Sequence, residues 1–447
     1  MAIDVNGRTI NSTNYDHPTE PNLNDLHKTM EYNALGQPVL RTTLKVGQTD
    51  AFGRIRMSSP FTLGDYKHLY GIDPNFIDYT VNGGTVAFQP NKACARLTTS
   101  NNSSSRVVHQ TKFYHHYMPG KSQQILTSFC YYAATANVTK RTGYFDDNNG
   151  IFFEQAGDGT LSWVIRSYTS GAPQENRVTQ ANWNIDPCNG QGGSLFNLDI
   201  TKTQLSFIEF QWLGVGAVTV GFVHDGAYIP CHIFYHSNNL TTVYMSTPNL
   251  PVRCEIVNTG TTTGAYFDQI CSTVVSEGGY VEAGQDWAAS SPSLRTIASG
   301  ATLPILAIRL KNTFRSYANR MIVRSGNLKV FSDGDSIKWR LLKLPGQAQL
   351  TGSTWVDIDD DSGVQYNATC TAWTDGDEMD NGFVGASTQG SQKAGGAPAS
   401  NLPSEAKKNY IVQNYDSTDS EIYVVVATNI GSQSTNVGVG WQWREIY

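Results

Sequence analysis

The chain has 447 residues, 39% of them hydrophobic and 16% charged, with 38 Asp+Glu against 32 Lys+Arg for a net charge of −6. That length fits two or three domains. The lack of a basic excess argues against nucleic acid or an anionic membrane as partner, and the low charged fraction argues against a coiled coil. Aromatics reach 11%, too many for a disordered chain. No apolar run approaches the roughly 20 residues that span a bilayer, and the start, Met1 to Asn6, has neither a basic region nor an apolar one. No signal peptide and no membrane insertion are expected.

In chain order, residues 1–70 read as an N-terminal docking arm with one short helix. Leu26 and Met30 lie four apart between a capping Asn24 and a terminating Gly36, which predicts the helix over 25–36. The stretch Asp50 to Leu63 spreads apolar residues thinly among polar ones, so Phe52, Arg54, Ile55, Pro60 and Phe61 read as anchors of an extended arm. An ordinary loop crossing a sandwich edge fits the same pattern.

Residues 71–290 read as a central β-sandwich. Period-two alternation puts Leu161, Trp163 and Ile165 on one face, then Ile208, Phe210 and Trp212, then Val218, Val220 and Phe222. Asp225-Gly226 predicts a tight hairpin. A polar stretch over 282–301 reads as a junction. Residues 291–447 read as a second sandwich. There Ile337, Trp339 and Leu341 alternate, Ile422, Val424 and Val426 point inward, and Val437, Val439, Trp441 and Trp443 share a face. The Gly/Ser/Ala-rich 385–400 reads as a flexible loop. No internal repeat suggests a propeller or a β-helix. The fold class expected is all-β, two sandwich or jelly-roll-like domains behind an arm.

Candidate chemistry is sparse. The 7 Cys are scattered without a CxxC pair, which fits free thiols, many of them small core residues in a reducing compartment. His232 and His236 would sit about 13 Å apart at about 3.3 Å per residue, too far to share a metal, and His115 and His116 would face opposite sides of a strand. The acidic runs 357–361 and 375–380 offer oxygen ligands, but Ser362 and Ala368 stand where a calcium loop of the EF-hand type needs Gly and Glu. Solvated turns are expected, and no metal or cofactor. Glu209 sits among apolar residues as a conceivable general acid, though an exposed strand face accounts for it. No nucleophile elbow, phosphate loop or zinc-protease motif is present, so no catalytic residue is assigned and no enzyme is expected. Trp163, Trp183, Trp212 and the tyrosines could stack on sugars, with Trp183 the best surface candidate because its surroundings, Ala181 to Pro187, read as a loop.

Three segments carry a family resemblance. They are Asp50 to Leu63, then Arg141 to Asp146 with Gly150 to Phe153, and then the set Trp183 to Pro187, Leu198 to Gln204, Trp212 to Gly216 and Tyr244 to Arg253. As an ordered series over roughly residues 50 to 260, with a similar Trp-Arg-Glu-Ile-Tyr ending, they resemble virion structural proteins of tailed bacteriophages of aquatic hosts. The resemblance implies a tail- or baseplate-associated appendage in a virion assembled in the bacterial cytoplasm. Its partners would be other virion proteins, and it would act as a homo-oligomer with contact to a host-surface glycan. A capsid decoration protein and a glycan-binding or glycan-depolymerising virion domain are the alternatives.

Overall fold

Alternating β-branched and aromatic residues, punctuated by Asp, Asn and Gly turns, fold here into antiparallel strands with almost no helix. The computed structural model describes residues 59–261, 264–352, 354–385 and 410–447, plus a few short strands within the first 42 residues. In place of the helix expected over 25–36, Lys28–Tyr32 pairs antiparallel with Pro38–Thr42. Thr29 and Tyr32 favour strand, and a four-residue apolar spacing over so short a stretch is too weak to hold a helix against hairpin pairing. Most of the arm, Phe52, Arg54 and Ile55 included, and the loop 386–409 lie outside the described residues.

The first sandwich is built from fifteen strands: β1 (Phe61–Lys67), β2 (Phe76–Val81), β3 (Thr85–Gln89), β4 (Cys94–Thr98), β5 (Arg106–Thr111), β6 (Gln123–Cys130), β7 (Val138–Phe145), β8 (Gly150–Gln155), β9 (Leu161–Ser167), β10 (Gln174–Thr179), β11 (Gln204–Phe210), β12 (Val218–His224), β13 (Ala227–Phe234), β14 (Val252–Asn258) and β15 (Tyr266–Ser276). Eight strands form one sheet in the order β13-β12-β11-β6-β15-β4-β3, with β1 also on β15. Seven form the other, in the order β10-β9-β8-β7-β14-β5-β2. Between them lies one core containing Phe129, Tyr144, Phe153, Trp163, Ile208, Phe210, Val220 and Phe222. The phases expected for β9, β11 and β12 therefore point where the sequence places them. The β12–β13 hairpin turns at Asp225 (φ 49°) and Gly226 (φ 78°), the two positive angles that a two-residue turn of this kind requires. Pro230, which lacks a backbone donor, sits on β13 at the sheet edge.

The second sandwich uses β16 (Gln285–Ser290), β17 (Arg295–Ile297), β18 (Thr302–Leu310), β19 (Ile322–Ser332), β20 (Ile337–Leu344), β21 (Val356–Asp357), β22 (Val364–Asn367), β23 (Asp377–Val384), β24 (Tyr410–Ile411), β25 (Ile422–Asn429) and β26 (Thr435–Ile446). One sheet runs β16-β26-β19-β24 with β17 on β26, the other β21-β22-β18-β25-β20-β23. Val437, Val439, Trp441 and Trp443 fill the space between the sheets with Trp339 and Leu341. By sheet membership, β16 belongs to this second unit, although the sequence reading placed it before residue 291. Likewise β1 lies in the first sandwich rather than in an arm ending at 70.

One inward phase is reversed. In β25 it is Tyr423, Val425 and Ala427 that face the inter-sheet core, whereas Ile422, Val424 and Val426 face outward. There they meet a second apolar layer with Ala307, Leu342 and Leu344, covered by Leu350, Trp355 and Trp373. A strand apolar on both faces carries no phase for alternation to reveal.

Candidate functional site

The outer face of the seven-stranded sheet is fixed by what its inner face must bury. With Tyr144 of β7, Phe153 of β8, Trp163 of β9 and Cys254 of β14 pointing into the core, period two sends Arg141, Glu154, Arg166, Arg253 and Glu255 outward. Register then sets Arg141 opposite both Glu154 and Glu255, and Arg166 opposite Glu175.

These residues form a continuous chain of alternating charge. Arg166 Nη2 donates to Glu175 Oε1 at 2.7 Å, and Arg177 joins Glu175 Oε2 (2.6 Å) to Glu154 Oε1 (2.8 Å). Arg141 then bridges Glu154 Oε2 (2.8 Å) and Glu255 Oε1 (2.7 Å). Arg106 joins Glu255 Oε2 and Asp147 Oδ1, both at 2.6 Å, and Arg253 reaches Asp147 Oδ1 at 2.8 Å. Five guanidiniums thus alternate with four carboxylates. Beneath them Phe145, Phe152 and Val164 make a small apolar floor, with the Arg166 guanidinium 5.0 Å from the Phe152 ring and that of Arg253 5.3 Å from Phe145, within cation–π range.

An open cleft of about 450 Å³ lies over this face, lined by Arg106, Arg141, Arg166, Pro173, Glu175 and Glu255. The second sandwich stands beside it. Tyr415 donates its hydroxyl to Asp147 Oδ2 (2.8 Å) and stacks on Tyr79 at 4.3 Å. Further from the cleft, Lys112 pairs with Glu421 at 3.5 Å and Arg320 lies 4.7 Å from the Tyr114 ring.

Burial opposes charge on Glu255, but Arg141, Arg106 and Arg253 together outweigh it and bring its carboxyl down to about 2. Burial likewise opposes charge on Asp147 and on Glu175. Arg253 and Arg106 hold Asp147 well below the usual carboxylate range, and Arg166 lowers Glu175. Carboxylates held ionised in this way keep no proton to deliver to a leaving group near neutral pH. What the face offers instead is a row of fixed donors and acceptors, suited to a polar, hydroxyl-rich ligand.

The candidate residues from sequence that fall among the described ones lie elsewhere. Pro60 is exposed before β1, and Phe61, 38% exposed, stacks on Tyr280 at 4.9 Å. Glu209 is half-buried on the eight-stranded sheet, accepts from Ser122 Oγ at 3.1 Å, and faces Gln124 and Thr219 across the strands, with no second carboxylate opposite. Trp183 is not a surface platform: it is buried against Phe153 and Phe222 and donates its indole N–H to Val178 O. The loop composition of 181–187 conceals a ring that packs into the core. Trp163 is fully buried, and Trp212 donates its N–H to Met245 O.

Three of the four histidines discussed from sequence have a local structural partner, whereas the Nδ1 of His116 is buried without one. His232 Nδ1 accepts from the Asn184 N–H, His236 Nδ1 bonds Gly216 O, and His115 Nε2 meets the Tyr66 hydroxyl. In the first acidic run, Lys311 pairs with Asp357 and Arg315 with Asp361. In the second, Glu378 lies 3.8 Å from Arg340. Among the described residues, no three metal-ligating side chains converge.

Sequence reasoning missed the charged face. Part of its signal was present in the outward phase of β9, whose inward phase was recognised, but the phases of β7, β8 and β14 were not read. The pairing was not legible, because Arg141 and Glu255 meet across 114 residues.

No protein-family model matches the sequence, and no curated protein matches it. Among solved structures, a protein of unknown function from Shewanella oneidensis MR-1 aligns at 10% identity and TM-score 0.34, over 51% of this chain and 90% of that one. The CBM2 module of the evolved Dit of Lactobacillus casei BL23 phage J-1 aligns at 7% and 0.33, over 51% and 100%. A legume lectin-like domain from Entamoeba histolytica aligns at 11% and 0.28, over 48% and 98%. At these scores the neighbours carry no argument about function.

Proposed function

We propose that this chain is a non-catalytic structural component of a bacteriophage particle, tail- or baseplate-associated, whose central sandwich holds a host-surface glycan on the charged face of its seven-stranded sheet. The observation that supports ligand contact is the alternating Arg/carboxylate chain left open beneath a 450 Å³ cleft. A sheet face with no binding role is more cheaply covered by ordinary polar side chains than by nine fixed charges, since buried ion pairs add little net stability. The absence of turnover is supported by Glu255 and Asp147, which arginine contacts hold ionised. The assignment to a particle rests on the ordered motifs between residues 50 and 260.

Immunogold electron microscopy of purified virions, with antibody raised against residues 311–447, tests the location. Label at the tail end is the expected result. Label spread over the head would replace the proposal with a capsid decoration role. No label on intact particles, with the antibody validated on free protein, would overturn a surface-exposed virion role.

A further inference from the structure

The scattered cysteines are not all isolated once the chain folds. Cys188 Sγ and Cys231 Sγ approach to 3.2 Å, across 43 residues of sequence, and both side chains are fully buried. Their approach is built by the backbone around them. The carbonyl of Cys231, on the edge strand β13, accepts from the N–H of both Ile185 and Asp186 at 3.0 and 3.1 Å. Asp186 Oδ1 in turn accepts from the Cys188 N–H at 2.8 Å, and its Oδ2 from the Ser194 N–H at 2.8 Å. Gln180 Nε2 donates to the carbonyls of Pro187 and Cys188. Cys188 itself sits at φ 50°, a left-handed conformation that a non-glycine residue adopts only when its surroundings hold it there. Three sets of hydrogen bonds and one strained residue therefore aim one sulfur at the other.

We propose that Cys188 and Cys231 are a reversible dithiol–disulfide site, reduced when the chain folds in a reducing compartment and closed when it meets a small-molecule disulfide of the glutathione class. In the step, a thiolate from one cysteine attacks the oxidant, whose sulfur–sulfur bond breaks and releases one small thiol. The second cysteine attacks the mixed disulfide and releases the other. One sulfur–sulfur bond forms in the protein; two protons and two electrons pass to the oxidant, which leaves as two thiols. Burial pushes the Cys231 thiol up, so the attack requires local opening of the exposed loop 189–195, and closure is slow without it. The closed bond ties that loop to the sheet edge.

The test uses the wild-type chain in an oxidised/reduced glutathione buffer at pH 8, once incubated folded and once refolded from denaturant in the same buffer. Free thiols are then blocked with an alkylating agent in denaturant, and an unreduced digest is read by mass spectrometry. The expected product is a peptide cross-linked between Cys188 and Cys231, about 2 Da lighter than the sum of its two parts. The cross-link should be abundant in the refolded sample, slower to appear in the folded one, and lost on adding a dithiol reductant. Exposed Cys271 provides the contrast, carrying glutathione or alkyl label but no partner within the chain. Recovery of Cys188 and Cys231 separately, each alkylated or each carrying glutathione, in the refolded sample overturns the proposal, as does cross-linking of either to a different cysteine. In Cys188→Ser, Cys231 should remain available to label.

Discussion

The two six- and seven-stranded sheets of this protein treat their second faces in opposite ways. In the C-terminal sandwich the outer face of β18, β20 and β25 is apolar and is roofed by Leu350, Trp355 and Trp373. In the central sandwich the outer face of β7, β8, β9 and β14 carries arginines and carboxylates over a floor of three apolar residues, and a cleft stays open above it. Each sheet already has a complete core on its inner side. A second apolar face must be covered by the chain's own residues, whereas a charged one can be left for a ligand. The comparison separates the part of the molecule that consolidates the fold from the part that has surface to offer.

The largest expected effect tests the charged side. Glu255→Ala removes the central carboxylate shared by Arg141, Arg106 and the fully buried Arg253, leaving only Glu154 beside Arg141 and Asp147 beside Arg106 and Arg253. We expect a loss of about 3–5 kcal/mol, read as weakened hydrogen-exchange protection confined to the central sandwich. Its counterpart, Leu342→Ala in the roofed layer, should cost about 2–5 kcal/mol with the loss confined to residues beyond 284. Loss of protection in both units from either change would break the comparison.

Acid titration sharpens it. The Glu255 carboxyl falls from the ordinary 4.5 to about 2 in the folded state, so its stabilisation is full above pH 4.5 and disappears as pH falls toward 2. The central sandwich should lose protection across that window, before the apolar roof does. In alkali the same dependence on pH recurs at Lys140, which burial pushes down to about 8 from 10.5. The folded state releases this proton more readily than the unfolded one, so stability should rise between pH 8 and 10.5. Lys140→Met should flatten that rise, measured as urea midpoint against pH. The smallest effect is expected for Tyr415→Phe, about 0.5–1.5 kcal/mol, because only its hydroxyl contact to Asp147 is lost while stacking on Tyr79 remains. A double-mutant cycle with Asp147→Asn measures that coupling between the two units.

How much of this was legible follows the same division. The inward phases of β9, β11, β12 and β26 could be read because one face of each is apolar and the other is not. β25 is buried on both faces, so its phase was read backwards. Asp225-Gly226 announced its hairpin because that turn needs two residues that tolerate positive φ. Trp183 misled because a loop's composition says nothing of where its one large ring goes. The charged face could be suspected strand by strand, but the order Arg166, Glu175, Arg177, Glu154, Arg141, Glu255, Arg106, Asp147, Arg253 exists only once register joins distant strands. The meeting of Cys188 with Cys231 is of the same kind, created by a loop folding back on a sheet edge.

The most direct test of the central claim is to incubate the whole chain with purified host-surface polysaccharide and follow two quantities together, bound polysaccharide and newly released reducing ends, for wild type and for Arg106→Gln. The account predicts saturable binding to wild type, binding weakened at least tenfold in Arg106→Gln with the fold intact, and no release of reducing ends by either. Release of reducing ends by wild type, or binding that Arg106→Gln leaves unchanged, would contradict it.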